Sequence, residues 1–493
     1  MHFGCRPMRF WGRSVLFVET PRLICGHAAS GVKLSISNRF LLVLNEMIQG
    51  VFPERPNPFE LKMWNVPDEP ASLHASVALN SQRESDFRGE LAQSKENGFD
   101  ASCSVSMTTL NIHNLGQIKE ASLAFGDLTV LVGPQATGKS IALQLLKLMV
   151  DAGQVQEEMR LYGLDWSREL RKFLDIYFGE GMRSIWREGE SRIEWGGKSV
   201  DLPQIAAHKR KGKEESLFFI PAQRVLALRD GWPRRFTDYT PGDPFAVREF
   251  SERLRVLVEQ EFGASGDLFP QERRLKKEFR DLLQEHMFSN FHLKVDKSRF
   301  QKRLVLVAGP NSEALPYMVW SAGQREFVPL LLGFYWLLPP TKVSTRDDIK
   351  WVVLEELEMG LHPRAISVVL LLVFELMKRG YRVCISTHSP QVLDAVWALK
   401  HLRENNAGAE ALLNIFEAPK SPPMQLLAKT VMEKTVKVHY FNRETGKTSD
   451  ISNLDPSSEG AGEGGWGGLS EFSGRANEAV ARAVANSNRG ISS

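Results

Sequence analysis

The sequence predicts an α/β fold organised around a phosphate-binding loop, on three observations. An apolar run, Leu128-Thr129-Val130-Leu131-Val132, leads into residues 133–140, GPQATGKS, and Ile141, Leu143, Leu145 and Leu146 follow at helical spacing. Two more apolar strands, 350–354 and 382–386, end in groups able to do chemistry: Glu355-Glu356 after the first, Thr387-His388-Ser389-Pro390 after the second. Ahead of them, Phe327, Leu330, Leu331 and Leu332 mark an apolar helix that begins at Ser321-Ala322-Gly323-Gln324.

Composition sets the frame. A chain of 493 residues has room for about two to four domains. Charged residues make up 25% and apolar ones 43%, the balance of a globular protein. With a net charge of +3 there is no global basic field, so any nucleic-acid contact must be a local patch. The four cysteines, Cys5, Cys25, Cys103 and Cys384, show no metal-ligand spacing, which fits a reduced, cytoplasmic compartment. No apolar run reaches the length of a membrane span, so no membrane partner is expected.

Taken in order, residues 1–106 scatter Pro, Trp, Met and three of the cysteines with little periodicity. They are expected to be a poorly structured N-terminal extension, a mis-assigned start codon being one version of that reading; a small N-terminal domain is the other. Residues 1–18 are basic around a short apolar stretch, but the Glu and Pro that follow do not suit a signal peptide. At Met107 the texture changes. Thr108-Thr109-Leu110-Asn111-Ile112 opens a strand, and 121–125 continues toward the glycine loop. The functional core is expected over 107–396, with an insertion at about 151–216 and a helical insertion at about 228–300, both between the phosphate loop and Ser321. In the first insertion 184–186 and 192–195 flank Glu188-Gly189-Glu190 as a hairpin. Residues 208–213 read as a basic loop, and 217–220 as a buried strand ending in Pro221-Ala222-Gln223-Arg224. In the second, 247–262 keeps helical spacing, a charged helix covers about 271–286, and strands return at 291–295 and 304–308. Residues 397–493 complete the α/β domain: a hairpin around 442–447, a Gly-rich loop at 459–465 and a final helix near 476–484.

The chemistry follows from residue type and place. A strand ending in a glycine loop aims backbone N–H groups at one point, and the next helix adds the positive end of its dipole. Gly133, Gln135, Thr137 and Gly138 would cradle phosphates, Lys139 would neutralise β- and γ-phosphate oxygens, and the Ser140 hydroxyl would ligate Mg2+. ATP and Mg2+ are therefore the expected cofactors. Ser321 can cap its helix, and its hydroxyl with the Gly323 N–H can face a γ-phosphate. Of the paired carboxylates, Glu355 would hold the Mg2+ shell and Glu356 would polarise the attacking water as general base. His388, at the end of the next strand, can bond the γ-phosphate and that water.

In this order the motifs resemble the ABC-class AAA-type ATPases related to RecF, SMC proteins and the OLD nucleases, over residues 107 to about 396. Residues 112–119, IHNLGQIK, resemble the first strand and turn of that family. The resemblance implies a P-loop NTPase sandwich with an ABC-type core sheet. It makes Ser321, Gly323 and Gln324 part of the signature motif, Glu355-Glu356 the Walker B acids and His388 the switch histidine. It puts Gln223 at the Q-loop, sensing Mg2+ and γ-phosphate, and residues 358–363 at the D-loop of a dimer interface. The chain departs from the pattern at Glu355, usually Asp, at Leu357, often Pro, and at Gln135-Ala136, commonly Asn-Gly or Asn-Ala. The implied assembly is a homodimer or higher homo-oligomer that sandwiches two ATP molecules, Lys139 and Ser140 of one subunit facing Ser321 and Gly323 of the other.

OLD relatives carry a Toprim nuclease after the ATPase. Residues 397–493 have neither its acidic pattern nor an H-N-H or His/Cys metal set, which implies a separately encoded effector protein. Two function classes follow. One is the ATPase module of a DNA repair or anti-phage defence system; the other is a nucleotide-dependent scaffold that clamps a protein partner without handling DNA. Lys209–Lys213, Arg234-Arg235 and Arg273-Arg274 are the basic segments that could track DNA phosphates, although Glu214, Glu215, Glu272 and Glu278 dilute them. A transporter ATPase fits less well.

Overall fold

The computed structural model divides into two units, Met1–Val105 and Ser106–Ser493. It describes residues 108–490 apart from 211, 213, 263–265, 298–301, 310–311, 340–344, 347, 456–457, 459–461 and 464, together with five short strands of the first unit. Those strands form an antiparallel pair, β1 (Met8–Phe10) with β2 (Arg13–Val15), and a three-stranded sheet in the order β3 (Lys33–Ser35), β5 (His74–Ala78), β4 (Glu60–Trp64). The rest of the expected extension, with Cys5, Cys25 and Cys103, lies outside the described residues, as do Lys211 and Lys213 of the basic loop.

The second unit is built on a six-stranded sheet. Its order is β11 (Leu217–Ile220), β18 (Trp351–Glu355), β19 (Arg382–Ser386), β8 (Leu128–Val132), β20 (Val436–Phe441), β21 (Thr448–Asp450). The first five run parallel and β21 returns antiparallel. Parallel strands need cover on both faces, which is why these segments read as unbroken apolar runs. Period-2 alternation then sorts each strand between two cores. Phe218, Ile220, Val352, Leu354, Val383, Ile385, Val130 and Val132 face one side. That side is covered by α4 (Phe245–Glu261), α6 (Ala322–Leu337), α7 (Pro363–Arg379) and α8 (Pro390–Glu404). Leu217, Phe219, Trp351, Val353, Cys384 and Leu131 face the other, against α1 (Lys139–Leu161) and α2 (Leu170–Phe178).

That second core is closed by an antiparallel sheet, β10 (Lys198–Val200), β9 (Arg192–Trp195), β6 (Thr109–Leu115), β7 (Ile118–Ala124). The hairpin expected across residues 188–190 forms one segment later. β9 pairs with β10 across Gly196 and Gly197, whose φ of 56° and 76° suit a tight two-residue turn, while 182–184 is a single 3-10 turn. The second insertion also differs from expectation, being mixed rather than helical. A short hairpin, β12 (Leu228–Arg229) with β13 (Trp232–Pro233), precedes α4. After α4 the chain makes an antiparallel sheet of β14 (Asp267–Phe269), β15 (His292–Asp296), β16 (Arg303–Val307) and β17 (Leu315–Pro316). The charged segment at 271–286 is helical only from Lys277, as α5 (Lys277–Leu283). The hairpin around 442–447 joins β20 to β21 as expected, and the final helix spans Glu471–Gly490.

Two details position the site. First, α1 is interrupted at Asp151 (φ −122°, ψ 25°), whose carboxylate accepts the N–H groups of Ser216 and Leu217 at 3.0 and 2.9 Å. Beside it the fully buried Lys147 ammonium lies 3.0–3.1 Å from Asp151, Glu215 and Glu249, and Arg253 bonds Glu158 and Glu215 at 3.0 Å. This cluster ties the helix after the phosphate loop to the start of β11 and to α4. Second, β19 runs between β8 and β18, which puts Thr387 and His388 between the glycine loop and the acid pair.

Candidate active site

The carboxyl ends of β8, β18 and β19 converge, the place where an open α/β sheet binds ligands. After β8 the chain turns sharply. Gly138 takes φ 97°, and a Cβ there would lie 2.5 Å from Ile118 Cγ1, so only glycine fits. Thr137 Oγ1 donates to Pro134 O at 2.9 Å and stiffens the loop. Lys139 opens α1 with its ammonium almost buried, donating to the carbonyls of Gly133 and Pro134, each at 2.8 Å. Burial pulls its pKa down to about 8, while Glu356, Glu358 and Glu355 push it back up. Gln135 and Ser140 are exposed on the same loop.

Across the sheet Glu355 is buried at the end of β18, in register with Ser386. Burial raises its pKa; the Ser140 hydroxyl and the Ala222 N–H, 3.2 Å away, work against that, and Glu356 adds to it. The loop serine and the first acid are thus neighbours. Glu356 turns out of the strand with φ 45°, its N–H held by Ser386 O at 2.9 Å. Its carboxylate is partly exposed and lies 3.7 Å from His388 Nε2. Burial and the nearby Lys139 lower the His388 pKa, Glu356 opposing, which favours the neutral imidazole.

The site has the donors for a magnesium triphosphate. Glu355 Oε1 and Glu358 Oε2 are buried without a hydrogen-bond partner among the described residues. A hard cation would offset that cluster of carboxylates through Glu355 and the Ser140 hydroxyl, taking its other ligands from phosphate and water. Among the described residues no group of three or more His, Cys, Asp or Glu could hold a metal by itself.

Residues 205–394 match the family described as "AAA domain, putative AbiEii toxin, Type IV TA system". That segment runs from before β11 to the start of α8, so it takes in the acid pair and His388 and leaves out the glycine loop. Over that segment the chain is similar to an AAA domain family. Among solved structures it is similar to an Smc head bound to the C-terminal winged-helix domain of ScpA, at 12% identity and TM-score 0.36, over 70% of this chain and 96% of that one. It is similar also to the SMC head domain of Thermotoga maritima (12%, TM-score 0.28, 70% and 98%) and to a dimeric bacterial ABC transporter cassette (13%, TM-score 0.27, 57% and 89%). No curated protein matches the chain.

The core brings some predicted residues together and leaves others apart. Ser321 caps α6 in a reciprocal box: its Oγ accepts the Gln324 N–H at 3.3 Å and the Gln324 side chain accepts the Ser321 N–H at 3.0 Å. Gln324 is thereby engaged within its own helix. The tightest approach to Gly323 is the carbonyl of Gly360, and no hydrogen bond joins Ser321 to the glycine loop. Gln223 is exposed, and at this corner it is its neighbours Ala222 and Arg224 that bond Glu355. Two residues of the site were missed as such. Glu358, read as part of the D-loop, turns inward, accepts the His388 N–H at 2.5 Å and has its pKa raised by burial. Arg224, buried behind the acid pair, bonds the carbonyls of Glu355 and Glu356. An arginine directly after a buried strand was the available signal. Of the basic segments, Arg274 is buried, bonds Tyr335 O and pairs with Glu261, and so cannot track a phosphate.

Proposed function

We propose that this chain binds ATP with Mg2+ at residues 133–140 and hydrolyses it as an ATP-gated homodimer or higher homo-oligomer. The observation that carries the reading is the meeting of Lys139, Ser140, Glu355, Glu356 and His388 at three adjacent strand ends. Bound there, the nucleotide and its metal supply the reactive phosphorus and neutralise its charge. Lys139 exchanges the carbonyls of Gly133 and Pro134 for phosphate oxygens, and the loop N–H groups and helix dipole hold them. Glu356 takes a proton from the attacking water, and neutral His388 orients that water by a hydrogen bond. Glu355 and Ser140 hold the metal; Gln223, at the rim, reaches it only if its corner moves. In the closed assembly Ser321 and Gly323 of the other subunit face the γ-phosphate. Exposed Leu226, Met318, Val319 and Met359 offer apolar surface for that contact.

The wider role we propose is the ATPase module of a DNA repair or anti-phage defence system in the cytoplasm, with a separately encoded effector. The description of the matching family, a toxin of a toxin–antitoxin system, supports a defence setting. No described helix is long and apolar enough to cross a membrane. The test is ATP hydrolysis by the full chain with and without duplex DNA, beside Glu356→Gln. DNA-stimulated activity that the variant lacks supports the reading; no hydrolysis by the wild type rejects it. One observation favours the second reading, a nucleotide-dependent clamp on a protein partner. Besides the buried Arg274, the Arg234 guanidinium lies 3.6 Å from the centre of the Tyr239 ring and bonds Asp238 O, which shrinks the basic surface open to DNA. Glu356-dependent activity indifferent to DNA would select that reading.

A further inference from the structure

The Arg224 side chain is fully buried where β11 ends. Nη1 donates to Glu355 O at 3.0 Å, and Nη2 to Glu356 O at 3.1 Å and Met359 O at 3.5 Å. On its other edge Nε donates to Glu326 O at 3.2 Å and lies 3.5 Å from the Glu326 carboxylate. One planar cation therefore grips the acid-pair turn on one side and the first turns of α6 on the other. Only an arginine has a fork of donors able to do this; lysine offers a single point charge. The turn needs holding, because Glu356 sits at φ 45°, a left-handed region that a residue with a side chain enters only under strain. The two elements also touch directly. A Cβ on Gly323 would lie 2.9 Å from Gly360 O, and one on Gly360 would lie 3.1 Å from Glu326 Cγ. Burial raises the Glu326 pKa and Arg224 opposes that, so the pair is at its tightest when Glu326 is ionised.

We propose that Arg224 is a positioning residue that links the helix behind Ser321 to Glu356 within one subunit, so that engagement of Ser321 and Gly323 is relayed to the general base. The proposal rests on the hydrolytic reading above. Arg224 acts through the backbone of Glu355 and Glu356. A small shift of α6 moves Glu326, the rigid fork follows, and the carbonyls on its other edge follow the fork.

The experiment uses the full chain as wild type, Arg224→Lys, Arg224→Met and Arg224→Lys combined with Glu326→Gln. ATP affinity, kcat and the thermal midpoint are measured for each. Affinity should stay within about threefold of wild type while kcat falls by about 10- to 100-fold, the scale of a general base displaced by a fraction of an ångström to one ångström. The Lys variant should melt close to wild type, and Glu326→Gln should add little to it, since both changes cut the same link. A folded Arg224→Lys protein with wild-type kcat overturns the inference. So does joint loss of affinity, kcat and thermal midpoint in the Lys variant, which marks a merely structural residue. If Arg224→Met does not fold, Arg224→Lys decides alone. A wild type that binds ATP but never hydrolyses it overturns the functional reading and this inference together; an active wild type with unaffected variants removes the inference only.

Discussion

Lys139 sets a pH response that can be read without any partner. Its folded-state pKa is lowered to about 8, so the free site loses this proton as pH rises through that value. Phosphate oxygens favour the ammonium form, so binding restores the proton. ATP affinity should be full below about pH 8 and fall between about 8 and 10, which titration of affinity against pH checks; a flat profile rejects the role given to Lys139. Glu356→Gln should keep nucleotide binding and lose turnover by about 100- to 10 000-fold in a steady-state assay. Lys139, Ser140, Glu355, Glu356 and His388 were legible in the sequence because each sits at a fixed offset from a strand or glycine loop that the sequence announces. Arg224 and Glu358 were not. Their roles depend on backbone groups more than 100 residues away for the first and about 30 away for the second, and no local pattern marks such a meeting.

Among elements, the cluster that joins α1, the start of β11 and α4 has the larger stake in stability. Four carboxylates surround Lys147 and Arg253, so two negative charges too many would be buried even with both cations present. Glu249 answers by holding its proton: burial raises its pKa to about 8, Lys147 opposing and Glu215 and Glu158 reinforcing. A carboxyl raised in the folded state contributes stability that is present at acid pH and lost as pH rises through about 8. Urea denaturation should therefore show the chain weakening between about pH 4.5 and 8, and Glu249→Gln should flatten that slope. Lys147→Met leaves the carboxylates without their central cation and should cost about 3–5 kcal/mol in the same assay. In the acid turn, Leu357 is fully buried in the sheet core, where the resembled family often has Pro. Leu357→Ala should cost about 2–5 kcal/mol and loosen Glu356, which thermal melting and kcat would report together. Strand and helix identities were legible wherever the apolar run or helical spacing was long. The β9–β10 hairpin was placed too early because Glu188-Gly189-Glu190 looked like its turn, while the pairing is set by Gly196-Gly197. The second insertion looked helical because α4 is long and periodic, and the short strands β14–β17 carry too few residues to show a period.

For the whole molecule the property to test is the proposed ATP-gated association. With Glu356→Gln and ATP, size-exclusion chromatography should show a dimer that the nucleotide-free chain lacks. Ser321→Phe, or Asp at both Met318 and Val319, should leave ATP binding within about threefold and abolish the dimer; if dimers persist in both, another face is used. The α/β plan and the order of the motifs were legible from the sequence, but the strand order was not, since pairing of β8 with β19 and β20 joins segments some 250 to 310 residues apart. The same pairing bears on how the chain can be cut. A Cβ on Gly133 would collide with the carbonyl of Phe441, and Gly462 and Gly467 press on Tyr440 and Val132 from beyond it. The wall behind the glycine loop is therefore supplied by the last quarter of the chain. A fragment trimmed to the family match at 205–394 would lack both the loop and this wall, and one ending near 396 would keep the loop but leave its back open. Dissection by similarity would thus return an inert piece of an intact fold, so boundaries for expression should run past Leu469.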